Sequence, residues 1–413
     1  MTLPFAILMA AQALTGKLTP CNPPRMTEER ALCGKYDVLE DRSLPAGRKI
    51  SLNIVVLPAT GDSALLDPLV FLAGGGVVPA TEAGAFLARA LPQLREHRDI
   101  VLVDQRGTGQ SNPLHCDRSA MASGEGTPAD RYLRMITMCR AALAAKADVR
   151  MYTTEPAMAD LDEVRAWLGY PAINIFAASY GTSAAQVYLR RYPARVRTMV
   201  LHGVVPLDVP MPLDLARSAE RVLERVLSAE DRRILNQLGS NPDVSEAVVG
   251  SLASITTIRQ LPTLIQQLAQ GGTPPPPGGR PAPPPLGVRL AILCSEGMPM
   301  VDTSRIAAAT AGTFLGDAQV RFQLRWCEDW PRGELTPGFH ESVSSDVPAL
   351  LITGELDPTT PPMYAERVAR TLSLARVITL PNRSHNDLDP CLLGMVEAFV
   401  ISRGRGMGFG ACE

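Results

Sequence analysis

The sequence predicts an α/β protein: a mostly parallel sheet with helices on both faces, interrupted by a helical insertion. Three observations carry this. Short apolar runs alternate with helix-period segments up to about residue 205, and again from about residue 345 onward. Several of those runs show no polar alternation and end in glycine or small-residue turns, as strands buried on both faces do. Between residues 206 and 345 buried strands are missing while helical patterns continue. The expected organisation is an N-terminal segment (1–20), an α/β core (21–205 and 346–413) and a helical cap insertion (206–345) containing a Pro/Gly-rich loop at 271–287.

In chain order, residues 50–58 alternate and then run apolar, as an edge or near-edge strand would. Residues 68–73 form a buried strand leading straight into Gly74-Gly75-Gly76. A helix is expected over 82–95, with Phe86, Leu87, Leu91 and Leu94 on its inner side. Residues 99–104 make another central strand, followed by Gln105-Arg106-Gly107-Thr108-Gly109-Gln110-Ser111. Residues 156–168 fit an amphipathic helix stopped by Gly169 and Pro171. The next strand, 174–178, meets a helix at Ser179, and 196–201 is the strand after it. The insertion shows helices over 215–227 and 255–268. The α/β rhythm then returns with strands at 347–353 and 375–380 and helices at 363–372 and 391–402.

Composition narrows the function. The chain has 413 residues, is 46% apolar and carries a formal net charge of −2, so it has apolar residues for a sizeable core and no basic excess for a nucleic-acid backbone. No run is long enough to span a membrane in the mature chain. Residues 3–10 are apolar and precede Ala11-Gln12-Ala13, a small-x-small site of the kind that ends a secretory signal, although no basic residue stands before them. The eight cysteines include no CxxC pair, which argues against zinc. They fall instead into four sequence-local pairs: Cys21 with Cys33, Cys116 with Cys139, Cys294 with Cys327, and Cys391 with Cys412. That pairing rests on proximity and on similar local context, and with the N-terminus it points to a secreted or periplasmic protein.

The strand–turn–helix at Ala177-Ala178-Ser179-Tyr180-Gly181 presents a serine at a tight apex with small residues two places away on each side. A serine hydroxyl is a poor nucleophile unless a histidine takes its proton and a carboxylate orients that histidine. Of the five histidines, His97 and His115 precede Ser179, no suitably placed acid lies between Ser179 and His202, and His340 lies in the insertion. His385 follows the last strand, where the sites of parallel sheets assemble. Asp357, just past the preceding strand, is the expected acid, with Glu355 and Asp389 as rivals. An oxyanion formed at Ser179 needs donors: the backbone N–H of Tyr180, and one from the glycine loop 74–76. The loop lacks the Lys-Ser/Thr of a phosphate loop, and no cofactor motif is present.

Asp104-Gln105-Arg106-Gly107-Thr108-Gly109-Gln110-Ser111 resembles the D-Q-R-G-x-G-x-S signature of the proline iminopeptidase and tripeptidyl-aminopeptidase-like branch of the α/β-hydrolases. Ser179-Tyr180-Gly181-Thr182, Arg190-Arg191-Tyr192-Pro193, the segment from Gly354 to Pro362, and Cys391 with Cys412 are similar too. The resemblance spans about residues 30–205 and 345–413. It implies an α/β-hydrolase fold, Ser179, Asp357 and His385 as catalytic residues, and oxyanion donors at Tyr180 and Gly75. It further implies Glu296 as a cap acid for a substrate ammonium, with Glu328 and Glu355 as competitors. Two positions depart from the pattern: Gly76 stands where the loop carries proline, and Ala177 where the elbow carries glycine. The activity implied is a serine hydrolase releasing N-terminal residues or short peptides through an acyl-enzyme. A carboxylesterase on the same triad and a non-catalytic binding protein are the alternatives.

Overall fold

The computed structural model describes residues 16–23, 26, 30–76, 78–122, 125–239, 242–273 and 285–405. Its centre is a nine-stranded sheet: β1 (Thr19–Cys21), β2 (Ala31–Leu39), β3 (Lys49–Leu57), β4 (Leu65–Leu72), β5 (Arg98–Val103), β6 (Ile173–Ala178), β7 (Val196–His202), β8 (Ala349–Gly354) and β9 (Ala375–Leu380). The spatial order is β1-β2-β3-β5-β4-β6-β7-β8-β9. The pairs β1/β2, β2/β3 and β3/β5 are antiparallel, and every pair from β5 to β9 is parallel. The strands of the parallel half therefore all end on one edge, where loops can gather side chains from distant parts of the sequence.

Burial explains the arrangement. β6 and β8 carry almost unbroken apolar runs and are buried on both faces. Two apolar cores lie on opposite sides of the sheet. One packs Leu52, Ile54, Ile175, Tyr188 and Leu351 with helix Thr154–Leu168. The other packs Phe71, Phe176, Val200 and Ile352 with helix Pro390–Ser402.

Four features differ from the sequence reading. β1 and β2 are strands that the apolar pattern did not reveal, because Gly34, Lys35 and Asp37 break β2's hydrophobic alternation. They put β3 third from the edge, and Leu18 is already buried, so the packed structure begins before residue 21. The helix expected over 82–95 is broken at Leu91 (φ −125°, ψ 55°) between Gly84–Ala90 and Pro92–His97, because Pro92 pushes the residue before it out of helical geometry. Leu87, Leu91 and Leu94 are buried as expected, whereas Phe86, a step of about 100° round the helix from Leu87, is exposed. Leu286 and Gly287, placed in the Pro/Gly loop by sequence, open helix Leu286–Ile292 and are buried.

The segment between β7 and β8 is helical but packs in two ways. Helices Met211–Val226, Ala229–Leu238 and Ile255–Ala269 share an apolar core of their own around Leu223, Leu235, Leu261 and Ile265. Past residue 285, Leu286, Val288, Leu290, Cys294 and Trp330 join the core beneath the sheet. Residues 274–284 of the proline-rich tract lie outside the described residues, as do residues 1–15 of the N-terminal segment.

The D-Q-R-G-x-G-x-S stretch fastens this architecture. Arg106, fully buried, grips Asp160 with Nε and Nη2 at 2.7 Å each and donates to the carbonyls of Glu40, Met151 and Leu39. Asp104 accepts from the backbone N–H and hydroxyl of Thr81, from Asn53 and from the N–H of Gln110. The Ser111 hydroxyl accepts the N–H of Asn53. A planar guanidinium with five donors suits such a junction, where a lysine would leave carbonyls unpaired.

Disulfides join Cys21 to Cys33, Cys116 to Cys139 and Cys294 to Cys327. The fourth expected pair includes Cys412, outside the described residues. Among those residues no helix is long and apolar enough to cross a membrane.

Two outcomes follow from these contacts. Alkylation of the unfolded, unreduced protein should leave the six cysteines of the three disulfides unmodified by peptide mapping. Arg106→Ala should lower unfolding stability by about 3 kcal/mol in urea titration, because Asp160 stays buried with Arg42 as its remaining cation.

Candidate active site

Ser179 stands between β6 and helix Tyr180–Arg191 with φ 53° and ψ −126°, a backbone geometry rarely populated by a residue with a side chain. The surroundings enforce it. Its N–H donates to the His202 carbonyl at 2.8 Å, and its carbonyl accepts the N–H of Thr182 at 2.8 Å and the Thr182 hydroxyl at 2.6 Å. Gly181 is required here, since a Cβ at that position would stand 2.2 Å from the Leu72 carbonyl oxygen. Ala177 is fully buried in β6 and its methyl is accommodated.

His385, in the loop after β9, lies with Nε2 3.0 Å from Ser179 Oγ and Nδ1 2.8 Å from Asp357 Oδ2. Asp357, past β8, is buried and saturated with donors. Oδ1 accepts the N–H groups of Thr359 and Thr360 at 2.8 Å each, and Oδ2 accepts the Thr360 hydroxyl at 2.5 Å besides the imidazole. Burial acts to raise this carboxyl, but the His385 charge and hydrogen bond, with the Thr360 donors, outweigh it and hold it below the usual carboxylate range. Thr360 Oγ1 also lies 3.1 Å from His385 Nδ1, so one hydroxyl touches both acid and base. A carboxylate held ionised against Nδ1 fixes the proton there and leaves Nε2 free to accept from the serine.

The structure brings Ser179, Asp357 and His385 together, and it sends the rival acids elsewhere. Glu355 pairs with Arg225 and accepts the N–H of Asn382. Asp389 caps helix Pro390–Ser402 and pairs with Arg383 at 2.5 Å.

Tyr180 opens its helix, where first-turn N–H groups have no acceptor within the helix. The glycine loop is adjacent: a Cβ on Gly74 would stand 3.0 Å from Ser179 Cβ. Gly75 and Gly76 have φ of 71° and 63°. Proline is locked near −65°, so this loop takes a different backbone path from one with proline at position 76. Ile292 of the insertion lies against Gly76.

A hydrogen-bonded chain runs through the Tyr180 side chain. Gln105 Nε2 donates to the Tyr180 hydroxyl at 3.2 Å, which lies 2.7 Å from Thr154 Oγ1. Thr154 donates its hydroxyl to Glu296 Oε2 at 2.7 Å and its N–H to Oε1 at 2.6 Å. Burial pushes the Glu296 carboxyl up to about 7. The two Thr154 bonds oppose this, and the Glu155 charge adds to it. Glu328, by contrast, is exposed.

His202 is the functional neighbour that sequence reasoning set aside. It ends β7, and burial first, then the nearby His385 charge, lower it to about 4, so it stays neutral in the site's working range. Thr360 went unassigned as well, although a threonine three residues after an aspartate is a common turn pattern. No group of His, Cys, Asp and Glu fit to hold a metal occurs among the described residues.

Residues 67–237 match the model of the α/β hydrolase fold family, and residues 313–405 match that of the TAP-like protein family. Serine protease Hip1 of Mycobacterium tuberculosis is 30% identical over 219 residues, 48% of this chain and 42% of that protein. The tripeptidyl aminopeptidase of Streptomyces coelicolor is 30% identical over 191 residues, 42% of this chain and 35% of that one. The chain thus spans less than half the length of these curated relatives. Among solved structures, a proline iminopeptidase from Mycobacterium smegmatis aligns at a TM-score of 0.47 and 16% identity, over 90% of this chain and 97% of that one. The chain has the α/β hydrolase fold, and its C-terminal part matches the TAP-like family.

The Glu296 environment has a pH signature. A carboxyl raised in the folded state binds its proton more tightly there, so stability is lost as pH climbs from its ordinary value of 4.5 to about 7. Glu296→Gln removes that titration. Urea unfolding at pH 5 and pH 8 should show the wild type losing about 3 kcal/mol more than the variant across that interval.

Proposed function

We propose that the chain belongs to the branch of the tripeptidyl aminopeptidases and proline iminopeptidases, and that it is a serine hydrolase that releases N-terminal residues or short peptides through an acyl-enzyme. One observation carries the reading: the continuous line from Ser179 Oγ through both ring nitrogens of His385 to the buried Asp357 carboxylate, with hydrogen-bond lengths of 3.0 and 2.8 Å. In this reading the Ser179 hydroxyl attacks the scissile carbonyl as His385 Nε2 takes its proton. Asp357 stabilises the imidazolium that forms. The Tyr180 and Gly75 amides hold the oxyanion, and His385 returns its proton to the leaving amine. Water then repeats the sequence on the acyl-serine. The backbone strain at Ser179 suits this role, because it points the side chain away from its own strand and helix.

Preference for a free amino terminus is assigned to Glu296. It is buried close to Tyr180, and no basic side chain among the described residues offsets its burial. A substrate ammonium reaching it would exchange water for a charge-assisted hydrogen bond. The three disulfides support maturation in an oxidising compartment outside the cytosol.

A fluorophosphonate probe should label the wild type at Ser179 and leave Ser179→Ala unlabelled, and that variant should lose at least about 10⁴-fold in kcat. Failure of the wild type to label would overturn the hydrolase reading. Among substrates, aminoacyl and tripeptidyl anilides should turn over and their N-acetylated forms should not. Glu296→Gln should raise KM for the free-amine substrates by about tenfold, more than for a simple nitrophenyl ester. Equal turnover of acetylated and free substrates would instead favour a carboxylesterase.

A further inference from the structure

The loop that carries His385 is held from outside the sheet. Asp387 Oδ2 accepts two backbone N–H groups: that of Ser384 in its own loop at 2.7 Å, and that of Ile255 at the start of helix Ile255–Ala269 at 2.9 Å. The N–H of Asn386 donates to the Ala253 carbonyl at 2.8 Å. The buried Ser384 hydroxyl donates to the Leu252 carbonyl at 2.5 Å and also lies 3.1 Å from the Leu356 carbonyl. The residues on both sides of His385 are therefore bonded to residues 252–255 of the insertion.

The acid is anchored in the same way. Leu356, the neighbour of Asp357, is buried in the insertion's own apolar core with Leu252, Ile258 and Leu261. Arg225 of the insertion pairs with Glu355. The Ile255 N–H is one of the first-turn donors that a helix leaves without a partner, and a carboxylate there is also favoured by the helix dipole. Ser254 already caps this helix by accepting the N–H of Thr257, so Asp387 adds a second acceptor supplied by the catalytic loop.

We propose that Asp387 is a positioning residue for the base. Through it, helix Ile255–Ala269 of the insertion fixes where the His385 imidazole stands, so the seating of the insertion sets the Ser179–His385 hydrogen bond. This rests on the serine hydrolase reading above. It makes the insertion part of the proton-transfer machinery as well as a cover, because a base displaced by a fraction of an ångström loses its in-line reach to the serine.

The test uses the full chain, with p-nitrophenyl acetate turnover and fluorophosphonate labelling as readouts. Asp387→Ala removes both acceptor bonds and should lower kcat about 10- to 100-fold with KM changed less than about twofold. Asp387→Asn keeps an oxygen able to accept both N–H groups and should return kcat to within about threefold of the wild type. Ile255→Pro removes the donor on the insertion while Asp387 stays, at the cost of part of a half-buried side chain at the edge of the insertion's core. Proline is accepted at a first helical position, and Ser254 already has the extended backbone (φ −146°, ψ 157°) that a following proline requires. It should reproduce the kcat loss with Asp387 intact, and it carries the test if Asp387→Ala does not fold. Wild-type kcat in Asp387→Ala, or in Ile255→Pro alone, overturns the link to the insertion. So does a loss in Asp387→Asn as large as that in Asp387→Ala. If the wild type itself neither labels nor turns over the ester, the hydrolase reading has failed. If it does both and the variants match it, only the positioning role has failed.

Discussion

The site depends on one span. Ser179 follows β6 and His385 follows β9, and two strands, β7 and β8, lie between them in the sheet. At the usual spacing of neighbouring strands this is a lateral gap of roughly 14 Å, yet the imidazole nitrogen lies 3.0 Å from the serine oxygen. The loop after β9 must therefore lean across the ends of β8 and β7. Asp357 meets it on the way, since it issues from β8. Gly203, at the end of β7 with φ 63°, clears the path: a Cβ there would stand 3.0 Å from Thr360 Oγ1 and 3.3 Å from His385 Cε1. The same crowding accounts for His202. Beside that glycine and closed off from water, it is held neutral by burial and by the His385 charge, and so adds no second positive charge near His385.

Two buried carboxylates near the site illustrate how environment divides one functional group into two behaviours. Asp357 has donors on both oxygens and a partner able to carry positive charge, so ionisation is favoured despite burial. Among the described residues the Glu296 carboxylate receives two hydrogen bonds, both from Thr154, and no cation offsets its desolvation, so the proton is retained up to about 7. The first is finished in the folded chain, while the second has an unmet demand for positive charge. The chain from Gln105 through Tyr180 and Thr154 to Glu296 ties that demand to the residue that follows Ser179.

Much of this was legible in the sequence because it rests on local pattern. Buried strands announce themselves by apolar runs, an elbow by a serine between small residues, and strand-end residues by their place after those runs. What escaped notice depends on tertiary contacts. β2 is half exposed and carries Lys35 and Asp37, so its strand character comes from eight paired positions along β3 and not from its own pattern. Phe86 lies one position off the buried face that Leu87, Leu91 and Leu94 share, and its apolar character alone does not reveal that it faces outward. Thr360, His202 and Asp387 hold ordinary loop or strand-end positions in the sequence. Only the fold brings the first against both Asp357 and His385, the second within reach of the His385 charge and the third against the start of a helix 132 residues away in sequence.

The elbow also separates two positions that a pattern treats alike. Glycines two residues before and after the serine are usually written as one requirement for smallness. Here they are unequal. Residue 177 still belongs to β6 and pairs with Leu72 and Leu201 in neighbouring strands, so its Cβ points out of the sheet into the core, where a methyl packs without cost. Residue 181 lies in the first turn of the helix, pressed against the end of β4, where any Cβ would collide with backbone that cannot yield. The reversal of direction at Ser179 thus forces the helix, not the strand, onto its neighbour. Alanine at 177 keeps the turn intact, whereas alanine at 181 would separate the helix from β4. The Tyr180 amide, proposed above as an oxyanion donor, would move with it.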